Sequence, residues 1–228
     1  MYLYGEHSLN CVGDDANTLP DVLNQKTGVS VRYIQSPEHF WYVFRASYGR
    51  SDKAADIMIE DGTYAYVAKR YVFKFINGKK KRILEPLIPN LVFAYTTPKR
   101  AYEYVCGRSG LFFLSYYYDH FKLIEQHKNP PLIIPNEEME NFIHATASHN
   151  EHIAFVEPSK CHYKSGDLVK VTDGLFKGVV GRVARVSGQQ RVVLSLSKVG
   201  LISTAYIPTA FIEKLSFETD NNEKDNSF

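Results

Sequence analysis

The chain has 228 residues, 44% of them hydrophobic and 14% aromatic, enough for one large packed core or two small ones. No run approaches the ~18 apolar residues of a membrane span, no basic patch followed by an apolar core reads as a secretory signal, and three scattered cysteines make no disulfide scaffold, which together point to the reducing cytoplasm. The net charge of +2 is unevenly spread: residues 39–130 hold 15 Lys and Arg against 8 Asp and Glu, and residues 157–215 hold 9 against 4.

In chain order, residues 1–38 lack sustained periodicity and are broken by Gly13, Pro20, Gly28 and Pro37, so they read as an irregular extension with a short strand at Val29–Ile34. Phe40–Ala46 (FWYVFRA) is an apolar run of strand length. After Gly49, Ser51 or Asp52 is placed to cap a helix with Ala54, Ile57 and Met58 on one face, and Gly62 ends it. Thr63–Ala68 and Tyr71–Ile76 alternate as strands, the second with Tyr71, Phe73 and Phe75 on one side. Asn77-Gly78 is the signature of a type I′ turn, which needs positive φ at both residues. The return strand Lys79–Ile83 begins with a dense basic tip.

Pro86–Tyr95 (PLIPNLVFAY) leads into a buried strand, Pro98–Cys106 suits a short helix ended by Gly107, and Leu111–Tyr118 reads as another strand. Asn129-Pro130-Pro131 is a loop, and Asn136 is placed to cap a helix with Met139, Phe142, Ile143 and Thr146 on its face. The pattern predicts an α+β fold, an antiparallel sheet flanked by helices, over residues 39–147. Residues 148–165 are polar and read as a linker. From 166 to 215 come strands at Leu168–Thr172, Val179–Val186, Arg191–Leu196 and Ile202–Ile207, closed by Phe211–Leu215, which predicts a small SH3-like β-barrel. Residues 216–228 are polar and acidic and read as a disordered tail.

The residues show no convergent catalytic set, so the chain does not read as an enzyme. His149 and His152 have a spacing that could ligate a metal, with Cys161-His162 nearby. Structural zinc wants closely paired Cys/His at both ends, however, and this pair sits in the predicted linker, so neither a metal nor a cofactor is expected. Gly174, Gly178 and Gly181 sit among strands with no following helix N-terminus, unlike a phosphate loop. Within the stretch Gly166, Asp167, Val169, Gly174, Phe176, Gly178 and Gly181, the glycines mark sharp turns or close strand approach, and Phe176 looks exposed. The tip Lys79, Lys80, Lys81 and Arg82 has the charge and reach to track phosphates, and Arg45, Arg50 and Lys53 can form a second basic rim. Either set also fits an ordinary solvated surface. Aromatic residues exceed what one sheet face can bury, so some should form a partner surface or a stacking platform for single-stranded bases.

The Trp41-Tyr42 pair, Asn77-Gly78-Lys79, Glu85–Tyr95 and Gly166–Val183 occur in the order found in NusG-like transcription factors, which this chain resembles over residues 39–215. The resemblance implies an N-terminal NusG domain followed by a KOW barrel. It further implies a monomeric factor that binds the clamp helices of RNA polymerase and touches the non-template DNA strand or nascent RNA. The matching polymerase-binding positions are Trp41, Tyr42, Tyr71, Phe73, Leu91, Phe93, Tyr116 and Tyr117, with Arg45, Arg50 and Lys53 facing the nucleic acid. Asn90, Leu91, Gly174-Leu175-Phe176 and the sequence SKVGL at 197–201 depart from the general factor and resemble the specialised RfaH and UpxY types. They imply an antiterminator of particular operons, such as capsular polysaccharide loci, whose KOW unit meets a regulatory or ribosomal protein. A ribosome-associated RNA-binding KOW protein is the alternative. The valine-rich pattern after 168 favours strands over a helical hairpin there.

Overall fold

The computed structural model describes residues 19–106, 110–120, 129–156, 162–186 and 188–215. The first part of the extension, the tail after 215, Cys11 and Cys161 lie outside them. Strands β1 (Val22–Leu23) and β2 (Ser30–Val31) form a small antiparallel pair. The predicted strand at Val29–Ile34 thus shrinks to two paired residues.

β3 (Phe40–Ala46) is the centre of the first large sheet. It pairs along its length with β7 (Leu91–Thr96), and on its other side with β8 (Leu114–Tyr116) and β9 (Ile133–Ile134). β4 (Tyr64–Tyr66) completes the sheet beyond β7. Central strands covered on both faces lose the alternation of a half-exposed strand, and every residue of β7 is buried. Three helices pack on this sheet: α1 (Ser51–Glu60), α2 (Pro98–Val105) and α3 (Asn136–Thr146). Phe44 meets Tyr104 of α2 edge-on, whereas Phe93 and Tyr66 meet Phe142 of α3.

Gly62 ends α1 at φ +76, a conformation that costs glycine little, and the Thr63 N–H closes back on the Met58 carbonyl. The expected caps do not hold. Ser51 and Asn136 are the first helical residues, after Arg50 and Pro135, and neither start has a side-chain cap bond. The tight turn Ser47–Gly49 and the fixed φ of Pro135 set these starts instead. Thr97 does cap α2, accepting from the Arg100 N–H. The strand expected at Leu111–Tyr118 shortens to β8.

β5 (Lys69–Ile76) and β6 (Lys79–Pro86) form a separate two-stranded ribbon around the Asn77-Gly78 turn, with φ of 51° and 73° as a type I′ turn requires.

The C-terminal part is a six-stranded antiparallel sheet built of β10 (Ala154–Val156), β11 (His162–Val171), β12 (Val180–Val186), β13 (Gln189–Leu196), β14 (Gly200–Tyr206) and β15 (Ile212–Lys214). Their order is β10-β14-β13-β12-β11-β15. The valine-rich stretch is therefore strand. Residues 148–165 are not simply a linker: Ile153 is buried and Ala154–Val156 add an edge strand on Leu201–Ser203, because this short segment is apolar. The two sheets share a contiguous buried cluster, and polar contacts join them. The Asn141 side chain donates to the Val180 carbonyl at 2.6 Å and accepts from its N–H at 2.9 Å.

Candidate functional site

The eight positions expected to meet a polymerase divide into four groups. Trp41 and Phe93 are core. Trp41 is stacked on Tyr33 at 5.5 Å and edge-on to Tyr64, and Phe93 is 1% exposed against Phe142. Tyr42 and Leu91 are also buried. These four sit on central strands whose two faces are covered, so they do not form an open patch. Tyr33 brings the extension into the core, and its hydroxyl donates to Glu140 of α3 at 3.0 Å. Burial pushes the Tyr33 and Tyr64 phenols well above their ordinary range. No motif in the sequence marks this packing of residues 19–38.

Tyr116 and Tyr117 are adjacent and face opposite ways. Tyr116 stacks on Phe44 at 5.5 Å and continues through Tyr42 and Tyr118. Burial pushes its phenol up to about 12, with Tyr42, Cys106, Tyr118 and Tyr102 adding to the shift. Tyr118, in ring contact with Tyr116, is exposed, as are Ile133, which pairs with Tyr42 across β3 and β9, and Tyr102 of α2, and together these give an apolar shelf beside α2. Tyr118 belongs to the aromatic run 116–118 that exceeds what one sheet face can bury, whereas Tyr102 and Ile133 carry no signal beyond being apolar in a helix or strand register.

Tyr117 instead lines a cleft of about 260 Å³ with Arg45, Asn90, Leu91, Phe155 and Val199. The turn from Ser197 to Gly200 closes over this side. The Ser197 N–H and hydroxyl donate to the Glu138 carboxylate at 2.8 and 2.6 Å, and the Lys198 ammonium pairs with Asp119. The Ser197–Gly200 turn is thus seated on the first sheet-and-helix unit.

Tyr71 and Phe73 lie on the ribbon, apart from the sheet. Lys79, Lys80, Lys81 and Arg82 are exposed at its tip and along β6.

Of the three residues expected to form a basic rim, two lie close together at the start of α1. Arg45 is exposed on β3. The Arg50 guanidinium lies 4.1 Å from the Phe113 ring centroid and 5.2 Å from those of Tyr48 and Phe112, with Lys53 at 5.8 Å from Phe113. Tyr48 is 90% exposed and Phe112 76% exposed. Tyr48 holds φ +60, and the turn is fixed by Asn90, whose side chain accepts from the Gly49 N–H at 2.9 Å. A cation among exposed rings at the N-terminus of α1 suits an anion carrying aromatic bases. Tyr48 and Phe112 were not singled out from the sequence. The Tyr48-Gly49 pair before a basic residue is the signal available there.

In the stretch expected to form the KOW motif, Gly166 lies in β11, Asp167 pairs with Lys214 at 2.6 Å, and Val169 is buried. Gly174 and Gly178 take φ of +78 and +90, and a Cβ on Gly181 would meet the Val193 carbonyl at 2.6 Å. Phe176 is buried, a correction to its expected exposure: it turns inward to fill the end of the C-terminal sheet.

These features belong to a mixed unit of antiparallel sheet and helices followed by an all-strand unit. A family model described as transcription termination factor NusG matches residues 39–143, the span of the first unit. Among solved structures, the chain is similar to one described as "Domain interaction in Thermotoga maritima NusG", at 18% identity and a TM-score of 0.38, covering 78% of this chain and 98% of that one. No curated protein matches the sequence. Among the described residues, no helix is long and apolar enough to cross a membrane.

Proposed function

We propose that the protein is a NusG-type elongation factor that binds RNA polymerase through its first unit and works by contact, not by catalysis. The observation that carries this reading is the family match over 39–143, falling on the unit that carries both an apolar shelf and a basic aromatic rim. The shelf Tyr102, Tyr116, Tyr118 and Ile133 is the anchor for an apolar helix of the polymerase clamp, since exposed aromatic anchors dominate such interfaces. Arg50 and Lys53, with Tyr48 and Phe112, face the non-template strand. The C-terminal sheet is a KOW-type SH3-like barrel in this reading. Its altered Ser197–Leu201 turn, held on Glu138 and Asp119, fits a specialist antiterminator of particular operons, such as capsular polysaccharide loci, acting in the cytoplasm.

Co-purification from native extract tests this. Polymerase should accompany the intact chain, and Tyr102→Ala with Tyr118→Ala should weaken that association at least about tenfold while the thermal midpoint stays close to the parent's. Recovery of ribosomal subunits without polymerase would replace this reading with that of a ribosome-associated RNA-binding protein.

A further inference from the structure

Among the described residues, the ribbon of β5 and β6 joins no other sheet, and its eight cross-strand pairs run from Lys69↔Pro86 to Ile76↔Lys79. Strand alternation gives it two different faces. One holds Arg70, Val72, Lys74 and Ile76 opposite Glu85, Ile83, Lys81 and Lys79. Here the ribbon's one carboxylate, Glu85, is ion-paired with Lys74. The other face holds Tyr71, Phe73 and Phe75 opposite Leu84, Arg82 and Lys80, and carries no acid.

On that second face the Arg82 guanidinium sits 3.7 Å from the Tyr71 ring centroid, and the Lys80 ammonium 4.4 Å from that of Phe73. Phe73 is 51% and Phe75 78% exposed. A two-stranded ribbon is marginal in water on its own, so rings held outward on one contribute little to the fold. Residues 69–86 contain seven Lys and Arg against one Glu. Rings on alternate residues stand about 6.6 Å apart, about twice the ~3.4 Å per-nucleotide rise of a stacked strand. That spacing lets rings and unpaired bases interleave.

We propose that the Tyr71, Phe73 and Phe75 face is a binding platform for single-stranded nucleic acid. Bases stack on Phe73 and Phe75, and Lys80 and Arg82 hold the phosphates between them. Charge complementarity selects this occupant. The cores of protein interfaces are depleted in lysine, and a duplex offers rings no unstacked base to meet. The platform shares no residue with the Arg50 rim and requires no polymerase.

The test is fluorescence anisotropy of the full chain, without polymerase, using labelled oligo(dT), oligo(rU) and a DNA duplex of equal length. Both single strands should bind more tightly than the duplex, and the tighter of the two assigns DNA or RNA as the source. Phe73→Ala with Phe75→Ala should lose about 5- to 150-fold per stacked base, with an unchanged far-ultraviolet spectrum. Lys80→Gln with Arg82→Gln should lower the slope of log affinity against log salt by about 1.4. An iodouracil-substituted oligonucleotide should photo-cross-link within residues 71–75, which reads the site without any variant. Duplex binding as tight as single-strand binding overturns the proposal. So does full affinity in the double phenylalanine variant, or loss of single-strand binding in Arg50→Ala alone.

Discussion

Phe93→Ala separates a partner surface from a core. Phe93 lies in β7 between Val43 on β3 and Tyr66 on β4, and its ring meets Phe142 at 5.4 Å, edge to face. It is 1% exposed, so truncation removes a buried ring and leaves a cavity walled by both a sheet and a helix. Such a change costs about 3–5 kcal/mol, out of a typical total of roughly 5–15 kcal/mol. At about 2–4 °C per kcal/mol for a protein of this size, the midpoint should fall by roughly 6–20 °C. Differential scanning calorimetry reads the shift, and polymerase binding is measured on the same sample well below the lowered midpoint. There the variant should still bind, because a buried ring offers a partner no surface. An unchanged midpoint with polymerase binding abolished would refute the burial argument and return Phe93 to the surface.

Gly181→Ala places a Cβ 2.6 Å from the Val193 carbonyl and 2.7 Å from a Val192 methyl, an overpacking of about 1–3 kcal/mol that should lower the denaturant midpoint. An unaltered midpoint would mean that β12 and β13 separate easily. Burial lowers the pKa of both His144 and His149. Glu140 opposes the shift at the first, Lys69 adds to it at the second, and the carbonyls of Lys69 and Thr146 oppose it there. The unfolded chain therefore binds more protons. Stability is complete above the ordinary histidine value of about 6.5 and is lost as pH falls from there through the lowered folded values. His144→Gln with His149→Gln should flatten that loss in pH-dependent melting, and an equal slope in parent and variant would contradict it.

Local chemistry was legible in the sequence wherever a residue type has one geometric use. Asn77-Gly78 turns because positive φ is needed twice, Gly62 ends α1 in the same way, and Met139, Phe142, Ile143 and Thr146 share a face at helical spacing. What alternation cannot reveal is how many faces of a strand are covered. Trp41, Tyr42 and Phe93 look like a surplus of aromatics only until Tyr33 is seen to cover Trp41, Phe142 of α3 to cover Phe93, and Phe44 and Tyr116 to cover Tyr42 on the other face. Tyr33 was hidden because a short irregular segment has no period, and its place depends on contacts such as that with Glu140 far along the chain. The β10 edge strand was missed because Ala154–Val156 is too short to stand out of a polar stretch. In the candidate site, the basic residues were visible by charge. Their aromatic partners Tyr48 and Phe112 were not, since both lie in turns.

The placement of the Ser197–Gly200 turn decides which face of the first sheet a partner can use. Tyr117 and Leu91 open onto a cleft shared with Phe155 and Val199, and Ser197 and Lys198 hold the turn through Glu138 and Asp119. Hydrogen bonds to a charged group contribute about 1.5–3 kcal/mol each, whereas a partly exposed ion pair adds only about 0–1 kcal/mol. A partner seated on Tyr117 would first have to break these contacts and lift the Gly200 backbone from the Phe155 ring beside it. A partner seated on Tyr116 and Tyr118 meets no such cost, because neither residue lines that cleft. For that reason the proposed polymerase contact is placed on the shelf beside α2, and the Tyr117 side is left to contact between the two units of the chain itself.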